Sequence, residues 1–384
     1  MNTGVVITHA YRTAVGKANR GSLRQTRPDE LLGLLMQGFL ERVPTLEPSD
    51  IDDVIIGCAM PEGEQGMNVA RIAALRAGLP VEVPGMTMNR FCSSGLQTLA
   101  SGAAQIQAGW SDIVLTGGVE SMSMVPMSGN KPTLNPWLAE NFPEAYESMG
   151  MTSEIVAERY GVTRHDQDEF ALESNNRALA AIRAGRFIDE IIPIETDLDG
   201  KTIVFDTDEG PRASTLEGLG RLGPAFKVNG TSTAGNSSQV SDGAALELLM
   251  TAAKAKKLGF SPLAELVTYQ VAGVHPSEMG IGPSVAIPKA LDKAGLSMKD
   301  IGLIELNEAF ASQALYCVRK LGIDSNLVNV NGGAIALGHP LGCTGAKLTA
   351  TLLHEMRRRE VEYGIVSMCI GGGMGAAAIF KRVS

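Results

Sequence analysis

The stretch DIDDVIIG (residues 50–57) returns as DIGLIELN (residues 300–307), 250 positions further along the chain. In both, an acidic turn leads into a short run of β-branched and aliphatic residues, the pattern of a buried strand. Two further matches follow in the same order. Gly95, in FCSSGLQTLASGAAQIQAG (residues 91–109), lines up with Gly345 in GHPLGCTGAK (residues 338–347). SDIVLTGGVESM (residues 111–122) lines up with EYGIVSMCIGGGM (residues 362–374). A near-constant offset argues for two copies of one unit.

Working outward, each copy also has a leading strand, GVVITHAYRTAVG (residues 4–16) or AELVTYQVAGV (residues 264–274). Each then has an amphipathic helix, DELLGLLMQGFLERV (residues 29–43) or VAIPKALDKAG (residues 285–295). The expected fold class is α/β, with two halves related by a pseudo-twofold axis and layers of helix and sheet alternating. The halves are expected at 1–118, completed by 243–262, and at 263–384. Residues 119–242 match neither copy and read as an inserted loop domain. Its PMSGNKPTLNPWLAENFP (residues 126–143) is turn-rich, and RHDQDEFALESNNRALAAIRAGRF (residues 164–187) is a helix with Gly185 at its C-terminus. An insertion of this length is commonly functional.

Composition narrows the partners. The chain has 384 residues, 44% hydrophobic and 20% charged, with a formal net charge of −9. That charge argues against nucleic acid and against an anionic membrane surface. No apolar run reaches the length of a membrane span, and the N-terminus lacks a secretory pattern. Five cysteines with no CxxC pair suggest free thiols in a reducing cytoplasm and no metal site.

The chemistry-bearing residues fall on the repeated loops. Cys92 lies where an extended segment gives way to a helix whose Leu96, Leu99, Ala103 and Ile106 recur at helical spacing. A helix N-terminus stabilises a thiolate, although a buried structural cysteine fits the position equally well. His339 sits in a Gly-His-Pro turn that can aim an imidazole; a turn histidine with a satisfied hydrogen bond is the plain alternative. Cys369 ends a strand and is followed by Gly371, Gly372 and Gly373, whose N–H groups could form an oxyanion hole. This segment also spells GxGxxA, but eight residues remain after Ala376, too few for a dinucleotide-binding unit. Asn307 ends one strand and precedes a helix, so an N-cap is its plain reading. His354, beside Arg357 to Arg359, reads as a solvated helix residue.

Taken together, NRFCSSG, NEAFA, GHPLGCTGA and CIGGGMG resemble the four catalytic blocks of the thiolase family, in order, across essentially the whole chain. KVNGTSTAGNSSQVSDGAA (residues 227–245) resembles its coenzyme A block. The resemblance implies the thiolase fold, a five-layer αβαβα arrangement plus a loop domain. It implies thiolytic cleavage of 3-ketoacyl-CoA with CoA, giving acetyl-CoA and a shortened acyl-CoA, as in fatty acid β-oxidation. The alternative within the family is an acetyl-CoA C-acetyltransferase forming acetoacetyl-CoA. By resemblance, His339 activates Cys92, Cys369 is the acid, and Asn307 and Gly371 serve two oxyanion pockets, the first with His339 through a water. Ser238 matches the pantetheine-contacting serine, and Met149, Phe226, Ala234, Met279, Ala309 and Phe310 match lining positions. Arg212, Arg221 and Lys227 are candidates for the CoA phosphates. CoA is implied as a substrate, with no permanently bound cofactor, and the family implies a homodimer or a dimer of dimers. Ser148, where short-chain members usually carry histidine, implies a medium-length acyl chain. A decarboxylating ketoacyl synthase and a catalytically silent CoA-binding protein share the fold and remain as rival readings.

Overall fold

The computed structural model describes residues 4–383; residues 1–3 and 384, at the outer limits of the two expected halves, lie outside it. Strands of the first half are β1 (Val5–Arg12), β2 (Asp53–Gly57), β3 (Gly85–Met88), β4 (Ile113–Ser121) and β5 (Ser241–Thr251). Those of the second are β6 (Ala264–Gly273), β7 (Leu303–Leu306), β8 (Tyr363–Ile370) and β9 (Met374–Arg382). They run in the order β3-β2-β4-β5-β1-β6-β9-β8-β7. The order is mirrored about its middle: β1 corresponds to β6, β5 to β9, β4 to β8 and β2 to β7. Parallel pairing of β2 with β4 recurs as β7 with β8. Where β3 flanks β2, a single parallel bridge joins Val328 to Ile304. The half-sheets meet at one edge, where β1 and β6 pair through Val6↔Glu265 and Ile7↔Ala264.

The helices that cover these sheets are α1 (Pro28–Arg42), α2 (Val69–Arg76), α3 (Ser94–Gln107), α4 (Met149–Tyr160), α5 (Arg164–Arg183), α6 (Gly282–Ala294), α7 (Ala311–Leu321) and α8 (Leu341–Arg359). Strand alternation decides which layer each side chain enters. In β2, Val54 and Ile56 pack outward with Leu31, Leu35 and Phe39 of α1. Ile55 between them packs inward with Leu96 and Leu99 of α3. In β8, Ile365 faces Ala286 and Ile287 of α6, while Val366 and Met368 face Leu348 and Leu352 of α8. The layers are therefore α1/α2, a half-sheet, α3/α8, a half-sheet, and α6/α7.

The central helices cross backbone to backbone. A Cβ on Gly95 would stand 2.7 Å from the Ala346 nitrogen, and one on Gly345 would press on the Leu96 nitrogen. Each glycine is thus required by the backbone of the opposite helix, and only hydrogen in place of a side chain permits this approach.

α5 opens with a Thr163/Asp166 capping box. It closes on Gly185 (φ 67), whose N–H donates to Ile182 O while Arg186 N–H donates to Ala181 O. β4 continues to Ser121 and β5 begins at Ser241, so the limits drawn at 118/119 and 242/243 fall inside these strand ends. The insertion is anchored by a buried ion cluster in which Arg12 donates to Glu190 at 2.6 Å and to both Asp208 oxygens at 2.8 Å. His354 is not solvated: it is half-buried, with Nε2 2.9 Å from Ala10 O, and ties α8 to β1.

Candidate active site

Cys92 lies in the one-turn segment Phe91–Ser93 that opens onto α3. The preceding residue, Phe91, has φ 43, a left-handed conformation costly for a side chain with a Cβ. Asn89 Oδ1 accepts the Phe91 N–H at 2.7 Å. Ser94 Oγ accepts from Arg90 N–H at 2.9 Å and donates to Phe91 O at 2.7 Å. The thiol receives N–H groups from Gly371 and from its own backbone, yet burial pushes its pKa up to about 11. The expectation of a thiolate stabilised by the helix mouth is thereby corrected. Removal from water outweighs the local donors, and the resting group is a neutral thiol.

His339 is buried just ahead of α8. Its backbone N–H donates to Ser241 Oγ and Gln239 O, both at 3.2 Å. Thr344 Oγ1 lies 2.6 Å from His339 Nδ1 and 2.9 Å from Pro340 O. The hydroxyl has one proton, and the Pro340 carbonyl can only accept it. Thr344 must therefore accept from Nδ1–H, which leaves Nε2 unprotonated, with a lone pair that can accept. Asn307 Nδ2 donates to that nitrogen at 3.3 Å. Burial, with a smaller contribution from Lys347, lowers the His339 pKa to about 3, so the ring is neutral at physiological pH.

Asn307 does not cap a helix. It follows β7, and α7 begins four residues later with Phe310 at its N-cap. Its Oδ1 is buried without a protein partner. Cys369 is fully buried near the end of β8, and its pKa is raised by burial first and then by the neighbouring Cys92. Gly371 opens the turn between Ile370 and Met374, which pair across the β8–β9 hairpin. The structure thus brings Cys92, Cys369 and Gly371 together, and His339 with Asn307. The two groups share a wall, since Leu341 packs in one cluster with Cys92, Ala59 and Met122.

Of the expected lining residues, Met149, Met279, Ala309 and Phe310 pack in one cluster with Cys369. Phe226 meets Phe310 edge to face at 5.9 Å. Ser238 N–H donates to Ala309 O at 3.0 Å. Arg212 and Ala234 line a separate open cavity of about 490 Å³ with Thr215, Leu219 and Leu222. Arg221 and Lys227 are already paired, with Glu217 and with Glu158. Ser148 is the N-cap of α4, accepting from Met151 N–H at 3.3 Å. Sequence reasoning missed Thr344, which fixes the imidazole, and Ser241, which holds the His339 backbone N–H. Thr344 follows His339 by five residues, so a helix start at Leu341 would have signalled it.

Among the described residues no cluster of His, Cys, Asp and Glu suits a metal ion, and no helix is long and apolar enough to cross a membrane. Residues 5–253 match the thiolase N-terminal domain and residues 260–382 the thiolase C-terminal domain. The chain is 54% identical over 386 residues to the 3-ketoacyl-CoA thiolase of Bacillus subtilis (strain 168), covering 98% of both. It is 51% identical to mouse (Mus musculus) peroxisomal 3-ketoacyl-CoA thiolase A, covering 98% of this chain and 90% of that one. The dimeric peroxisomal thiolase of Saccharomyces cerevisiae superposes with TM-score 0.92 at 44% identity, covering 99% and 97%. The Bacillus anthracis acetyl-CoA acetyltransferase does so with TM-score 0.91 at 44% identity, covering 99% and 98%. With both domains matched in order around a pair of buried thiols and a neutral histidine, the chain belongs to the thiolase family.

Proposed function

We propose that the protein cleaves 3-ketoacyl-CoA with CoA, as an acyltransferase of fatty acid β-oxidation. The observation that carries this reading is the convergence of two buried thiols on the Gly371 turn, beside a neutral histidine whose Nε2 is unprotonated. Cys92 passes its proton to His339 Nε2 and bonds to the 3-keto carbon, and the carbonyl pair moves onto oxygen. The N–H groups of Cys92 and Gly371 are suited to receive that charge. Collapse breaks the bond between C2 and C3, leaving the electron pair as the acetyl-CoA enolate. Asn307 Oδ1 is free to hold a water that, with His339, faces the enolate oxygen. Cys369 gives its proton to C2. A second CoA thiol then attacks the Cys92 thioester, its proton going to Cys369, and Cys92 leaves and recovers its own proton from His339.

The insertion supplies the CoA surface, with Ser238, Met149 and Phe226 near the pantetheine and Arg212 near the nucleotide. CoA acts as a substrate, with no resident cofactor. The chain works in the cytoplasm as a homodimer joined at the exposed β3 edge, where Met67, Val81 and Met86 are uncovered. The dimeric state of the yeast neighbour supports a pair of chains. The acyl chain is of medium length. A thiolysis series with free CoA tests the reading, together with the intact mass of the trapped enzyme. The expected result is an acyl adduct on Cys92 and a higher kcat/KM for 3-ketooctanoyl-CoA than for acetoacetyl-CoA. Equal or better use of acetoacetyl-CoA overturns the chain length; absence of a Cys92 adduct overturns the site.

A further inference from the structure

Glu120 takes no part in the chemistry above. It lies near the end of β4, fully buried, and collects donors from separate segments. Its Oε2 accepts Ala59 N–H at 2.8 Å and Gly342 N–H at 2.7 Å. Its Oε1 accepts Met60 N–H at 3.2 Å, the Gln65 side-chain N–H, and the Cys58 thiol at 3.8 Å. Burial raises the pKa of Glu120, and the four N–H donors, which fill the lone-pair directions of an ionised carboxylate, pull it back down. All of these partners are neutral. Fold stability alone does not call for such an ion, because a buried carboxylate without a cation is expensive to desolvate.

Its placement gives the charge a use. Gly342 belongs to the turn that carries His339, and Ala59 packs directly in the cluster around Cys92. A Cβ on Gly342 would meet the Cys58 Cα at 2.7 Å and Glu120 Oε2 at 2.8 Å, so the turn is drawn fully onto this anchor. We propose that Glu120 is a positioning residue for the reaction, a buried carboxylate that locks the His339-bearing turn of one half against the loop walling Cys92 in the other. The proposal rests on Cys92 and His339 being nucleophile and base. Charge-assisted bonds are shorter and stiffer than neutral ones, which suits a joint that must hold two reacting groups in register. The titratable groups facing Glu120 are the thiols of Cys58, Cys92 and Cys343; burial is the main cause of each raised pKa, and the charge of Glu120 adds a smaller push in the same direction.

The test compares Glu120→Gln, Glu120→Asp and Cys92→Ser in the full chain, using 3-ketoacyl-CoA thiolysis. Working sites are counted by acylation of Cys92. Glutamine keeps the shape but turns an NH2 toward one pair of N–H donors. The expected result for Glu120→Gln is a fall in kcat per acylatable site of about 100-fold with KM within about twofold. The pH at which iodoacetamide labels Cys92 should move down in the same variant. Glu120→Asp, with the charge kept and the reach shortened, should keep the wild-type labelling pH while its kcat stays low. A kcat per site within about threefold of wild type, or a loss matched by the count of working sites, overturns the proposal. If the glutamine variant does not fold, the same per-site comparison on Glu120→Asp decides. Full activity of Glu120→Gln beside an inactive Cys92→Ser discards only the positioning role. Turnover by Cys92→Ser discards the site assignment itself.

Discussion

The two turns at the mouths of α3 and α8 occupy equivalent places, yet they divide the chemistry between them. Shifted by 250 residues, Cys92 corresponds to Gly342 and His339 to Asn89. Where the first half carries the nucleophile, the second carries a bare backbone pinned to Glu120. Where the second carries the base, the first carries an asparagine spent on backbone, through Phe91 N–H of its own turn and Ala59 O of the loop after β2. A duplicated frame thus yields an active site only because its copies diverged in opposite directions. Each half gave up chemistry at the position where the other kept it.

The sharpest way to break this relation is at the crossing of the central helices. Gly345→Ala places a methyl on the Leu96 backbone, and overpacking against rigid backbone is expected to cost about 3 kcal/mol or more. Chemical denaturation checks it, and an unchanged midpoint would mean that the helices can separate freely. Next come the hydroxyls at equivalent positions, Thr344 and Ser94. Thr344→Val removes the acceptor that fixes the imidazole tautomer, so kcat is expected to fall about 100-fold with little change in the unfolding midpoint. Ser94→Ala removes two hydrogen bonds from the other turn and should lower stability by about 1–2 kcal/mol, leaving kcat nearly intact. If both variants lose rate alike, the division between the turns fails. The effect that is smallest at neutral pH is acid-linked. With a folded pKa of about 3 against the usual 6.5, His339 stays neutral where the unfolded chain takes up a proton. Stability from this source is present above pH 6.5 and drains away as pH falls toward 3, at up to about 1.4 kcal/mol per pH unit. His9, lowered by burial to about 4, adds a parallel loss. His339→Asn makes the turns alike and should flatten the pH dependence of the unfolding midpoint between pH 6 and 4 by one proton; an unchanged slope would contradict the burial of His339.

The layered frame was legible because strand and helix periodicities survive in local sequence and because the repeat supplied its own alignment. Cys92, His339 and Cys369 stood out because rigid Gly- and Pro-containing turns isolate them. Properties set by distant neighbours were hidden. The thiol's net shift depends on burial supplied by the other half, which outweighs the N–H donors that the helix mouth does provide. Ser148 also caps α4, a role that no neighbouring sequence pattern marked. Glu120 carries no local mark, because its donors come from residues 58–65 and 342 and no sequence pattern joins those segments.

The pairing of β1 with β5 joins Val5 to Thr251. At 5–20 residues per second, a ribosome needs on the order of 10–50 s to make the chain between them. Throughout that interval the first strand has no permanent neighbour, and the β1 contact to β6 comes later still. Cys92 emerges early, but the turn bearing His339 is among the last pieces made. Through most of its own synthesis the growing chain carries a thiol without a base, so reactivity arrives only when the second half closes over the first.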